Sequence, residues 1–147
     1  MFKHILVPTD GSKLSLKALD VAAGLAKTTG AKVLVLHVAP NFPTMVGGDG
    51  YMISPITPKD WDISIAKQTA RIRDQVEKRA KGKAVAVQFA SVSVDQPYVG
   101  IIDVAKRKKC DVIVMASHGR RGFSAMLLGS ETTKVLTHCK LPVLVCR

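Results

Sequence analysis

Ser117-His118-Gly119, a spacer, then Gly129-Ser130 is the stretch whose residue types best suit chemistry. It follows the apolar run Asp111-Val112-Ile113-Val114-Met115-Ala116, which predicts a buried strand. It precedes Glu131 to Thr137, which predicts the opening turns of a helix. A glycine loop leaving a strand, with a second Gly-Ser opening a helix, is suited to holding phosphate. Glycine lets the backbone approach an anion with no side chain in the way. Unpaired N–H groups at a helix start point at the ligand, and the helix dipole adds to the attraction. The Ser130 hydroxyl adds one more donor.

A catalytic set is harder to find. There is no Gly-x-x-x-x-Gly-Lys-Ser/Thr loop, so the common NTPase cradle is missing from the sequence. His118 stands beside Ser117, but chain neighbours seldom face each other as nucleophile and base. His118 is therefore read as a loop residue. His4, His37, His118 and His138 have no metal-ligand spacing. Asp10 alone would hold Mg²⁺ only through phosphate or water. Arg120 and Arg121 either offset charge near a phosphate or are plain solvated cations.

The elements that must position these residues alternate. Ile5-Leu6-Val7 predicts a strand ending at Pro8, and Asp10-Gly11-Ser12 a turn that caps a helix. Leu14, Leu16, Ala18, Leu19, Ala22, Ala23, Leu25 and Ala26 recur at mainly helical spacing up to Gly30. Lys32 to Val38 predicts a second strand. Residues 40–59 hold Pro40, Pro43, Pro55 and Pro58 with Gly47, Gly48 and Gly50, and predict a long loop or lid. Asp60 is the expected cap of a second helix from about Trp61 to Lys81, buried through Ile63, Ile65, Ala66, Ala70, Ile72 and Val76. A strand over 84–94 follows, then a helix begun at Pro97, the strand 112–116, a helix over 130–138 and a strand over 142–146. Strands alternating with helices imply parallel pairing through right-handed crossovers. The expected fold is α/β: an open, doubly wound parallel sheet with helices on both faces and a ligand crevice at the strands' carboxyl ends.

The totals agree with one domain over residues 1–147. Hydrophobic residues make up 47% of the chain, which fits a globular protein. No apolar run approaches the length that spans a bilayer, and no signal-peptide pattern precedes the first strand. Cys110, Cys139 and Cys146 are odd in number and lack metal spacing, as expected of packing residues in a reducing cytoplasm. The net charge of +11 raises nucleic acid or a membrane surface as an anionic partner. The charges are spread along the chain with few aromatics among them. The densest run, Lys106-Arg107-Lys108-Lys109, ends a predicted helix, where cations complement the dipole.

The glycine stretch resembles the nucleotide-binding signature of the universal stress protein family: Gly, two residues, Gly, nine residues, Gly, then Ser or Thr. The match falls on Gly119, Gly129 and Ser130, with Ala116 where the first glycine stands. Phe2 to Ser12 resembles the family's first strand and loop, Leu36-His37-Val38 the end of its second strand, and Leu141 to Val145 its last strand. The resemblance implies an adenine nucleotide alpha hydrolase-like sheet of five strands in the order 3-2-1-4-5. It implies that Asp10 contacts the base of ATP, with Pro8 and Thr9 shaping that wall and Val38 packing on the adenine. Met115 and Ala116 would lie at the ribose, and Gly119, Gly129 and Ser130 at the phosphates, with Arg120 and Glu131 beside them. Mg²⁺ would enter as counter-ion of the nucleotide. Two positions await geometry. Ala116 is harmless in an extended backbone and costly if it must take a positive φ. Glu131 repels phosphate unless its carboxylate points elsewhere.

Three functional readings follow. The first is a cytoplasmic, ATP-binding regulator or sensor in the stress response, not an enzyme beyond slow ATP hydrolysis. The second is a dimeric stress-response interaction protein with a vestigial nucleotide site. The third, ranked below both, is nucleic-acid binding through the basic surface. A homodimer is expected through the last strand, Pro142, Val143, Leu144 and Val145, because an apolar edge needs a cover and the family commonly pairs this strand across a two-fold axis.

Overall fold

The computed structural model describes residues 1–43, 56–119 and 128–147. Most of the 40–59 loop, and Arg120 and Arg121, lie outside the described residues.

Five strands form the sheet: β1 (His4–Pro8), β2 (Lys32–Ala39), β3 (Val87–Ser93), β4 (Val112–Ala116) and β5 (Val143–Cys146). They pair in parallel in the order β3-β2-β1-β4-β5. Alternate side chains enter opposite faces of a strand, and here both faces are apolar. Ile5, Val7, Val33, Val35, Val112 and Val114 face one layer; Leu6, Leu34, Leu36, Ile113 and Met115 face the other.

The first layer is covered by α1 (Lys13–Thr29) and α2 (Pro58–Ala80). Ala18, Leu19, Ala22 and Ala26 bring α1 close to the strands, since alanine keeps the helix axis low. Ser12 caps α1 by accepting from Ser15 N–H, and Gly30 ends it at φ 73, a conformation glycine adopts without penalty. The second layer holds α3 (Pro97–Arg107) and α4 (Ser130–His138), through Ile101, Val104, Ala105 and Val135. The chain thus leaves β1 toward one side of the sheet and later returns to build β4 on the other. The carboxyl ends of β1 and β4 flank the resulting switch point.

The structure corrects the expected second helix. Its cap is Thr57, which accepts from Asp60 N–H at 3.1 Å and donates to the Asp60 carboxylate at 2.7 Å. Asp60 sits within the first turn, in a reciprocal arrangement like a capping box. Pro58 begins the helix, where its missing N–H costs nothing. The apolar stripe is also narrower than expected. Ile72 and Val76 are fully buried and Trp61 and Ile65 half-buried, whereas Ile63 is 57% exposed and Ala66 and Ala70 are exposed. At about 3.6 residues per turn Trp61, Ile65, Ile72 and Val76 share one face, and Ile63, Ala66 and Ala70 fall on the opposite side. β3 begins at Val87 and ends at Ser93, inside the expected limits, and β5 starts at Val143.

Asp20 joins the two helices of the first layer. It pairs with Arg79 through two guanidinium nitrogens and with Lys83 at 2.7 Å. The Arg79 hydrogen bond, with Lys83 beside it, holds the Asp20 carboxyl below its ordinary range despite partial burial. A carboxyl with a lowered folded pKa stabilises the fold above its unfolded value and loses that contribution as pH falls through the folded one. Asp20→Asn is expected to lower Tm by about 2–4 °C at neutral pH. The difference from wild type should vanish in acid below the usual carboxylate range, which thermal melts across pH will read.

Candidate functional site

Two loops leave the carboxyl ends of β1 and β4. The first is held by its own side chains. Thr9 is buried; its hydroxyl lies 2.8 Å from Ser15 Oγ and accepts from Gly11 N–H at 3.1 Å. Its carbonyl lies 3.2 Å from Nδ1 of buried His37, and its N–H donates to Leu36 O, extending the pairing with β2. Gly11 turns the chain at φ 78. Asp10 Oδ1 accepts from Ser12 N–H at 3.0 Å, an Asx turn that orients the carboxylate. The turn and site readings of Asp10 are therefore compatible, because one oxygen sets the direction of the other.

That other oxygen faces the second loop. A Cβ built on Gly119 would lie 2.7 Å from Asp10 Oδ2, so any side chain there displaces the carboxylate. The far end of the second loop returns to its start. Gly129 N–H donates to Ser117 O at 2.7 Å. A Cβ on Gly129 would meet His118 Cα at 3.1 Å and Ser117 O at 3.2 Å. Gly129 is thus glycine because backbone passes against backbone. Buried Thr132 donates to Ala116 O at 3.0 Å and ties α4 to the same strand end.

The start of α4 is therefore aimed at this junction. Thr133 N–H is the one that closes on Gly129 O. The N–H groups of Ser130, Glu131 and Thr132 belong to the turn that an α-helix leaves for outside acceptors. Ser130 is exposed and brings its hydroxyl.

Both open positions are decided. Ala116 is the last residue of β4, paired with Cys146 in extended backbone, so its methyl imposes no conformational strain. The Glu131 carboxylate accepts from Tyr98 N–H at 2.9 Å and pairs with Lys134 at 3.0 Å. It supplies the cap that Gln96, with no side-chain hydrogen bond, does not give to α3. The side chain is engaged at α3, and what Glu131 offers an anion at the α4 start is its backbone N–H.

Other expected site residues sort by what their side chains touch. Met115 is buried in the layer under α3 and α4, so only its backbone can face a ligand. Val38 is half-buried; a Cβ on Gly100 would meet its methyls at 3.3 and 3.5 Å, so α3 backs it closely. Pro8 closes β1 beside Leu36. Arg120 lies outside the described residues. Ser117 Oγ and His118 Nδ1 do meet, at 3.1 Å, but Ser117 is buried and its N–H is tied to Cys146 O. A cleft of about 590 Å³ between Gly11 and α2 adds Lys67 and Arg71 to the approach from the first loop. Only the packing of α2 brings these two cations beside Gly11, so their spacing in the sequence carries no signal of it. Among the described residues no three of His, Cys, Asp and Glu gather closely enough to hold a metal ion.

Of the cysteines, Cys146 flanks this junction, paired with Ala116, but its thiol is buried. Burial pushes the Cys110 thiol up to about 11, with the Asp111 charge adding to it and Lys108 opposing. Burial also raises Cys146. Both are expected to resist iodoacetamide at neutral pH in the folded protein and to react on unfolding, with half-buried Cys139 labelled first. Mass spectrometry of timed labelling checks the order.

A parallel sheet ordered 3-2-1-4-5, with the β1 and β4 loops meeting where those strands end, defines a doubly wound α/β protein with its candidate site at the switch point. The universal stress protein family model matches residues 1–147, and the chain belongs to that family. It is 33% identical to universal stress protein YxiE of Bacillus subtilis, over 100% of both chains. It is 31% identical to universal stress protein MJ0531 of Methanocaldococcus jannaschii, over 100% of this chain and 83% of the relative. Its fold is shared by the universal stress protein from Archaeoglobus fulgidus solved in complex with dAMP, at TM-score 0.63 and 20% identity, covering 100% of this chain and 98% of the other. No described helix is long and apolar enough to cross a membrane.

Proposed function

We propose that this universal stress protein binds ATP at the junction of the β1 and β4 loops and acts as a cytoplasmic regulator or sensor in the stress response. The observation that carries the reading is the contact of the two loops. Gly119 lies against the Asp10 carboxylate, while Gly129 lies against the 117–118 backbone. Only glycine lets the two loops approach this closely, and they meet beside a helix start whose N–H groups suit phosphate. Asp10 would accept from the adenine amino group, Val38 would cover the base, and Ala116 with the Met115 backbone would border the ribose. Gly119, Gly129, Ser130 and the Glu131 N–H would hold phosphates, with Mg²⁺ as counter-ion. Arg120 is the further cation of this reading. Hydrolysis would be slow, because Ser117 is buried and the Glu131 carboxylate is committed to α3.

The test is the nucleotide content of freshly purified protein, followed by thermal shift with MgATP. Stoichiometric ATP or ADP is the expected result. Ligand about a hundredfold above Kd should raise Tm by about 5–10 °C. An empty protein with no shift would overturn the reading in favour of an interaction protein with a vestigial site.

A homodimer through β5 belongs to the same proposal. Leu144, on this edge strand, is 43% exposed, and Leu136 on α4 is 42% exposed. Such an edge calls for a partner. Leu144→Lys should yield monomer by light scattering if Pro142, Val143, Leu144 and Val145 form the seam. An unchanged mass would remove this strand from the interface.

A further inference from the structure

The opposite end of the sheet carries a second feature. Parallel strands all begin at one edge, and here their starts are flanked by lysines that the sequence scatters. Lys81 caps α2 in the connection to β3, Lys32 opens β2, Lys3 precedes β1, Lys108 and Lys109 precede β4, and Lys140 precedes β5. The backbone links the middle of the row directly. Lys32 N–H donates to Lys3 O at 2.9 Å, and His4 Nδ1 lies 3.0 Å from Lys108 O. Asp111 N–H donates to His4 O. All six lysines are exposed, and none takes part in the ion pairs formed among the described residues. Asp111, the acid within the row, accepts from the N–H groups of Lys3 and His4.

Strands about 4.8 Å apart place five starts along about 20 Å. That length matches roughly six base-pair steps of duplex, whose phosphates carry one charge per about 1.7 Å of axis. Lysines are mobile point charges, and the row offers no aromatic platform for unpaired bases. A membrane surface would call for an apolar face to bury in lipid. Beside the row stands exposed Met1, while Phe2 packs into the core.

We propose that this row is a docking surface for the phosphate backbone of a nucleic-acid duplex, held without reading sequence. It lies at the far end of the strands from the ATP junction and does not depend on that reading. The probe is a mixed-sequence DNA duplex of about 20 base pairs, followed by fluorescence anisotropy from about 50 to 200 mM salt. Six phosphate contacts predict a slope of log Kobs against log salt near about −5. Lys3→Gln, Lys32→Gln and Lys108→Gln together should weaken binding at least about tenfold at low salt and bring the slope near about −3. Lys13→Gln, Lys17→Gln and Lys59→Gln together, the same change in charge elsewhere, should leave both values close to wild type. Circular dichroism melts establish that both triple variants are folded.

No binding at low salt would overturn the proposal. So would equal losses in the two triple variants, which would mean diffuse charge attraction. Retention by anionic phosphatidylserine vesicles, sensitive to the first triple while the duplex is not bound, would assign the row to a membrane surface and overturn it as well.

Discussion

Gly129→Val is expected to abolish ATP retention and to lower stability by about 1–3 kcal/mol, the range for forcing volume into a packed place. The cause is backbone against backbone. The smallest added carbon meets His118 Cα at 3.1 Å and Ser117 O at 3.2 Å, and neither can rotate away as a side-chain tip would. Relief requires the 128–129 segment to move off β4. That movement breaks the Gly129 N–H bond to Ser117 O and tilts the α4 start, so the helix N–H groups no longer converge with Gly119. Two readouts separate the effects. Chemical denaturation reads the stability, and released nucleotide reads the site. Gly129→Ala should fall between wild type and valine in both, because its single methyl overlaps by only a few tenths of an ångström. A valine variant that retains stoichiometric ATP would remove α4 from the binding surface.

Gly119→Ala should reduce ATP affinity at least about tenfold while costing under about 1.5 kcal/mol of stability. The obstacle here is Asp10 Oδ2, 2.7 Å from the added carbon, at the end of a side chain that can swing. Swinging breaks the Asx bond to Ser12 N–H and turns the carboxylate from the direction the loop sets. The double variant Gly119→Ala with Asp10→Ala distinguishes crowding from lost recognition. Removing the carboxylate should recover the stability lost to the clash but not the affinity. Isothermal titration with MgATP on the single and double variants checks this. Recovered affinity in the double variant would show that Asp10 makes no useful contact with the nucleotide.

Much of the architecture could be read before folding was considered, for local reasons. Apart from alternating β3, each strand is a short apolar run, three of the four helix starts carry a polar cap or proline, and Gly30 stops α1 where the pattern ends. The order 3-2-1-4-5 came through family resemblance, since periodicity says nothing about which strands are neighbours. Two local details differ. Asp60 has the chemistry of a cap, yet Thr57 with Pro58 behind it takes that place. Ile63 stands nine positions before Ile72, about two and a half turns away, so it faces away from the sheet.

The candidate site divides in the same way. Residue types and spacing single out Gly119, Gly129 and Ser130 as the candidates for holding phosphate and Asp10 as a loop carboxylate, because glycine and cap chemistry act over one or two turns. Folding alone settled that Ala116 is extended, since its conformation follows from pairing with Cys146 across the sheet. Folding turned the Glu131 carboxylate from phosphate to the start of α3, which lies more than thirty positions earlier in the chain. It also gathered Lys3, Lys32, Lys81, Lys108, Lys109 and Lys140, which read as scattered solvated charges along the chain. A parallel sheet begins every strand at one edge, so residues far apart in sequence but alike in their place before a strand become neighbours.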